Sequence, residues 1–176
     1  MQHHGSRYFD GYERAPSGKL VYTGPRYGYS SPQHHKRMKL SSIAITLVML
    51  IAEIMAQFFP SSGGMQRYMA IPSLLSLVPL IFWIMGQGEF LIAKPACELR
   101  VYYSGYRRMY RSGITALVIC TLWLLGEIWY LIQHPAAVTG ELLYLLDVAL
   151  CVGCCAALTL LLRRNPPQVV EGPVIR

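Results

Sequence analysis

The chain has 176 residues, of which 53% are hydrophobic and 14% charged, where a soluble domain usually carries about 25% charged residues. Its apolar residues gather in four blocks, roughly 41–59, 70–93, 112–133 and 141–162, which have almost no polar face and so exclude a soluble bundle. The net charge of +7 is not evidence for nucleic-acid binding, because the basic residues flank the apolar blocks instead of forming one patch.

Residues 1–40 precede the first block and form a Tyr/Gly/His-rich head. In "RYFDGYERAPSGKLVYTGPRYGYSS" the Tyr and Val spacing is strand-like, with turn signals at Pro16-Ser17-Gly18 and Gly24-Pro25. The pattern predicts a short β-hairpin beside the membrane. A disordered tail is the competing reading, since an isolated hairpin is marginal in water. Five tyrosines between Tyr8 and Tyr29 are too many for an ordinary solvated linker. Residues 20–29 are therefore expected to order against Tyr102, Tyr103 and Tyr106 of the middle loop. The pairs His3-His4 and His34-His35 lack acids or cysteines at ligand spacing and are read as solvated, with no metal.

Each apolar block is long enough to cross a hydrocarbon core of about 30 Å, which takes about 20 helical residues. Only helices satisfy their own backbone there. The chain is thus expected to be an all-α membrane protein with four transmembrane helices. They form two tandem antiparallel hairpins, residues 41–93 and 112–162, turned by "SSGGMQRYMA" and "QHPAAVTG". Between them lies a basic, tyrosine-rich loop, 94–111, of interfacial composition, which holds a short amphipathic helix or continues the second helix. After it all comes an extended tail, 163–176, with Pro166, Pro167 and Pro173.

Lys36, Arg37 and Lys39 precede the first helix, Arg107, Arg108 and Arg111 precede the third, and Arg163 and Arg164 follow the fourth, whereas the two opposite turns hold only Arg67. Short loops rich in Lys and Arg stay in the cytoplasm. Both termini and the middle loop are expected there, with these residues orienting the chain and meeting anionic lipid headgroups. No cleavable signal peptide is apparent.

The two hairpins echo one another. "LIAEIMAQFFP" ends at Pro60 and "LLGEIWYLIQHP" at Pro135, each with a glutamate, Glu53 or Glu127, followed by isoleucine. Tandem duplication about an axis along the membrane normal is one reading, and chance similarity of two hydrophobic hairpins is the other. The order of "GKLVYTGPRYGY", "HKRMK", two hydrophobic hairpins and "GELLYLLDVAL" resembles a group of small four-helix membrane proteins of anaerobic Gram-positive bacteria. The resemblance implies this topology and a bacterial plasma membrane, and it supplies no catalytic residues.

Three intramembrane acids stand out. Glu53 precedes Pro60 by seven residues, Glu127 precedes Pro135 by eight, and Asp147 follows Gly140 by seven. At 1.5 Å per residue all three lie roughly 10–12 Å below the outer helix ends, and facing lipid there is costly. One acidic layer inside the bundle is expected. It is structural if it hydrogen-bonds across helices to groups such as Gln57, and a cation or proton site if it opens outward. Glu89, near the inner end of the second helix, is expected to pair with Lys94 or an arginine rather than gate ions. Cys151-Val152-Gly153-Cys154 resembles a thiol site of the vitamin K epoxide reductase family. That chemistry needs a thiolate near a helix N-terminus and partner cysteines outside, so close packing around Gly153 and Ala157 is preferred, and all five cysteines are expected as free thiols. No phosphate loop, catalytic triad or metal motif occurs. The expected function is a non-enzymatic scaffold or accessory subunit without a cofactor, bound to a protein partner or to its own copies. The alternative is a small oligomeric transporter or ion or proton conductor built on the acids.

Overall fold

The computed structural model describes residues 12–14, 20–29, 31–58 and 61–170. The elements in chain order are β1 (Tyr12–Arg14), β2 (Leu20–Tyr22), β3 (Arg26–Gly28), α1 (Pro32–Phe58), α2 (Arg67–Ile92), β4 (Ala96–Cys97), α3 (Leu99–Tyr102), a π-helical turn (Tyr103–Arg107), α4 (Arg108–Gln133), a 3-10 turn (Pro135–Ala137), α5 (Val138–Arg164) and β5 (Gln168–Val170). Among the described residues four helical runs, Pro32–Phe58, Arg67–Ile92, Leu99–Gln133 and Pro135–Arg164, are long and apolar enough to cross a membrane. Within the most apolar stretch of each, only 28–39% of residues are buried inside the protein. Side chains such as Leu47, Ile51, Leu74 and Leu146 point outward, as they must where hydrocarbon is the solvent. The chain is a multi-pass, all-α membrane protein.

The helices begin and end on readable signals. Ser31 accepts a hydrogen bond on Oγ from the His34 amide at 3.1 Å, and Pro32 takes the first helical position, a favoured start. The first helix therefore begins at Pro32, well before the apolar run at 41, and carries Lys36, Arg37 and Lys39 on its first three turns. The middle segment also differs from a loop. From Leu99 it is helical and runs through the π turn into α4. α5 stops before Pro166-Pro167, with the Asn165 side-chain amide donating to the Leu161 carbonyl at 2.9 Å. Pro60 and Pro173 lie outside the described residues.

The helices that follow each other in sequence are not always those that pack most closely. α2 lies against α4, α4 against α5 and α1 against α5, while α1 and α2 approach sparsely. Glycines explain the α2–α4 contact. A Cβ on Gly86 would sit 3.0 Å from the Gly105 carbonyl oxygen, one on Gly105 3.1 Å from the Phe90 amide, and one on Gly126 3.3 Å from Met69. Small residues let backbones come close where no hydrophobic effect drives helices together. The large rings of Trp83 and Trp123, both fully buried, fill the bundle interior in two clusters. One lies towards the sheet end with Met49, Met109 and Leu158, and the other beneath the opposite turns with Tyr130, Tyr144 and Val148.

At one end the chain forms two small sheets. β1 and β2 pair antiparallel, Tyr12 opposite Tyr22, as the predicted hairpin; its turn at 16–18 lies outside the described residues. The second sheet has the order β4-β3-β5, all antiparallel, with Tyr27 opposite both Cys97 and Val169. Head, middle segment and tail are thereby tied into one platform.

Candidate functional site

The acids are inside, but not in one layer. Glu53 is buried at 2% exposure and Glu127 at 0%, while Asp147 is half-buried with its Oδ2 enclosed. Glu53 accepts a hydrogen bond from Ser76 on α2, while Glu127 meets Gly63 in the turn between α1 and α2 together with Glu141, an acid not singled out from the sequence. The Tyr144 hydroxyl takes a hydrogen bond from Trp123 Nε1 at 3.1 Å. Asp147 follows Glu141 on α5 by six residues, about 9 Å further along the helix. The expected single layer of Glu53, Glu127 and Asp147 is thus split: Glu127 joins Glu141 at the turn, and Glu53 and Asp147 lie deeper.

The pair at the turn is built into the backbone. Glu141 Oε1 accepts from the Ser62 amide at 2.7 Å and the Gly63 amide at 3.3 Å, two donors that the turn between α1 and α2 leaves free. A Cβ on Gly63 would lie 2.8 Å from the Tyr130 ring and 3.0 Å from Glu127 Oε2, and one on Gly64 3.0 Å from the Tyr144 hydroxyl. The glycines of "SSGG" are therefore there for close approach, and the turn rests directly on the carboxyls. Both Glu127 oxygens are buried, and neither has a hydrogen-bond partner among the described residues. A groove of about 420 Å³ between α1 and α2, lined by Gln57, Ser61, Ser73 and others, reaches Tyr144.

A polar seam joins α1 to α2, and it too was missed. Trp83 Nε1 donates to Thr46 Oγ1 at 2.8 Å, Gln87 Nε2 to Ser42 Oγ at 3.0 Å, and Ser76 Oγ to Glu53 Oε2 at 3.2 Å. Gln57, expected to bond the acids, is exposed and donates instead to Ser73 Oγ at 3.2 Å. Ser42, Thr46, Glu53 and Gln57 follow each other by four, seven and four residues, a single helix face. That spacing was the available signal.

The basic residues divide. Lys36, Arg37, Arg111, Arg163 and Arg164 are exposed, and Arg107 and Arg108 half-buried. Arg107 lies 4.6 Å over the Tyr103 ring. Lys39 does not simply orient the chain: its Nζ donates to the Leu91 and Ala93 carbonyls at 2.8 and 2.7 Å and caps the end of α2, where cations suit the helix dipole. Glu89 is exposed in a shallow groove with Arg26, Lys94 and Glu98.

Residues 20–29 order against the middle segment, as the tyrosine content suggests. Tyr27 stacks on Tyr102 at 4.6 Å between centroids. The Tyr22 hydroxyl donates to the Pro25 carbonyl at 2.6 Å and accepts from the Leu99 amide at 3.2 Å, and the Tyr12 hydroxyl donates to Glu98. That last bond, then burial, pushes the Tyr12 phenol up to about 12. Burial likewise pushes up the Tyr29 phenol and the Cys97 thiol. The histidines are not both solvated. His35 is buried, with Nε2 3.3 Å from the Ala93 carbonyl and its ring edge-on to Phe90, and His34 stacks on Tyr29. The cause is the early start of α1, which puts them on a packed helix. His3-His4 lie outside the described residues.

The five cysteines are free thiols. Cys120, Cys151, Cys154 and Cys155 are core packing. Gly153 and Ala157 are not part of that packing: both face outward, and no described residue lies within 4 Å of a Cβ on Gly153. Among the described residues no group of three or more His, Cys, Asp or Glu is placed to hold a metal ion. Compared with protein-family models, curated proteins and solved structures, the chain matches none.

Proposed function

We propose that this chain is a non-enzymatic membrane interaction protein, a scaffold or accessory subunit, that docks a protein partner on its platform. One observation carries the reading. Residues 26–28, 96–97 and 168–170, far apart in sequence, are held in one sheet at the end of the bundle. Segments that served only to orient helices would need their charge and no shared fold. On this proposal the platform is cytoplasmic, as the distribution of Lys and Arg favours. The resemblance to small membrane proteins of anaerobic Gram-positive bacteria adds a bacterial plasma membrane. Labelling of an engineered cysteine at Ser62 from the cytoplasmic side would overturn the orientation.

The second reading, a small oligomeric transporter or ion or proton conductor, is favoured by Glu127, whose two buried oxygens have no hydrogen-bond partner among the described residues, and by the groove that reaches Tyr144. Protein in liposomes, tested for proton and cation flux beside a mild-detergent pull-down, separates the two. The interaction reading expects a stable partner and no flux above protein-free vesicles. Flux that Glu127→Gln abolishes in a folded protein would replace it with the transport reading.

A further inference from the structure

We infer that the groove between α2 and α4 is a site for one anionic phospholipid, its phosphate held by Arg107, Arg108 and Arg111 and an acyl chain laid along α2. The groove has a volume of about 480 Å³, within the range of small-molecule sites. Its wall from α2 is purely apolar, Leu75, Val78, Pro79 and Phe82, and Ile119 continues it on α4. Its other end is lined by the three arginines, with Tyr103, Ser112 and Thr115. A greasy trough that ends in three cations has the charge and polarity layout of a single anionic lipid molecule.

The depth of the arginines strengthens the assignment. Met109 packs on Gly86, and Gly86 lies six residues inside the end of α2 at Ile92, about 9 Å along the helix. Arg111 is half a turn beyond Met109, so its stem starts well below the platform, on the face that hydrocarbon covers. A cation there is costly unless it reaches water or an anion. A guanidinium takes phosphate oxygens in a bidentate fork, which an ammonium does not. The arginine beside the platform is already positioned, since Arg107 rests on the Tyr103 ring. Three positive charges without an acid among the lining residues select a net negative headgroup over a zwitterionic one. This site is independent of the docking platform and would stand if that proposal failed.

The test is native mass spectrometry of the full chain released from nanodiscs of mixed phosphatidylglycerol and phosphatidylcholine. One phosphatidylglycerol per chain should be retained in preference to phosphatidylcholine. Retention should fall by about tenfold or more in Arg107→Gln/Arg108→Gln/Arg111→Gln, on the scale that basic residues attract anionic lipid, and stay unchanged in Lys36→Gln/Arg37→Gln. Thr115→Trp fills the trough, leaves all three arginines in place, and should also expel the lipid. Equal loss in both charge variants, equal retention of the two lipids, or displacement by inorganic phosphate alone would overturn the proposal. So would a photo-crosslink from Ile119 to a second copy of the chain with no lipid retained.

Discussion

Gly28→Ala probes the platform at its tightest point. A Cβ at Gly28 would lie 2.2 Å from the Pro95 carbonyl oxygen, 3.2 Å from its carbon and 3.3 Å from Ala96 Cα. The first distance is more than about 1 Å inside the optimal separation of nonbonded atoms. All three neighbours are backbone, so none can rotate aside. β3 must move by about that distance from β4, which breaks the pairing of Gly28 with Ala96 and Tyr27 with Cys97 and spoils the Tyr27–Tyr102 stack. Overpacking of this kind costs about 1–3 kcal/mol. A local loss of about 2 kcal/mol raises the open fraction some 30-fold, at about 1.4 kcal/mol per factor of ten. Hydrogen exchange followed by mass spectrometry should therefore show peptides covering 20–29 and 96–98 exchanging about 30-fold faster, with the spans unaffected. Unchanged protection at 20–29 would refute the close approach and the platform that rests on it.

Glu141→Ala should lower the stability of the turn by about 1–3 kcal/mol, because two backbone donors lose their acceptor. Glu141→Gln keeps an acceptor oxygen and should cost much less; thermal unfolding in detergent compares them, and equal midpoints would remove Glu141 from the turn. Thr46→Val leaves the Trp83 indole N–H inside the bundle without its acceptor and should cost about 0.6–2 kcal/mol, the range of interhelical hydrogen bonds in membranes; a reversible-unfolding titration that finds no cost would dismiss the seam. Tyr12 titrates at about 12 against an ordinary 10.0. Since the folded value is raised, its support for the platform is complete below pH 10 and disappears as pH rises through 12. Isotope-labelled tyrosine NMR should show Glu98→Gln bringing Tyr12 back towards 10.0, and a wild-type value already there would contradict the contact. Cys97 should be alkylated slowly at neutral pH, because the thiolate is the reactive form and burial disfavours it, and Gly28→Ala should speed the reaction; the same rate in both would argue against burial.

Much of the architecture was legible because hydrocarbon imposes a length and a composition that few soluble helices meet. The inward placement of Glu53 and Glu127 followed from the same solvent argument. Helix pairing did not. It depends on where Gly86, Gly105 and Gly126 admit a second backbone, and an isolated glycine looks the same whether it faces a helix or, as Gly153 does, the outside. Strands of two or three residues are too short to display a period of two, so β4 and β5 left no pattern, and only the tyrosine count hinted at the platform. Glu141 eluded detection because its partners are backbone amides of a turn 79 and 78 residues away. The start of α1 was in plain view at Ser31-Pro32, but hydropathy marks where a helix enters lipid, not where it begins.

Docking at the platform is tested most directly by a photo-crosslinking residue at Val169, which is exposed on β5, activated in native membranes. The account predicts one discrete adduct with a different protein, absent from the Gly28→Ala variant and absent when the probe is moved to the outward-facing Leu150. Adducts to lipid or to copies of this chain alone, unchanged by Gly28→Ala, would contradict it.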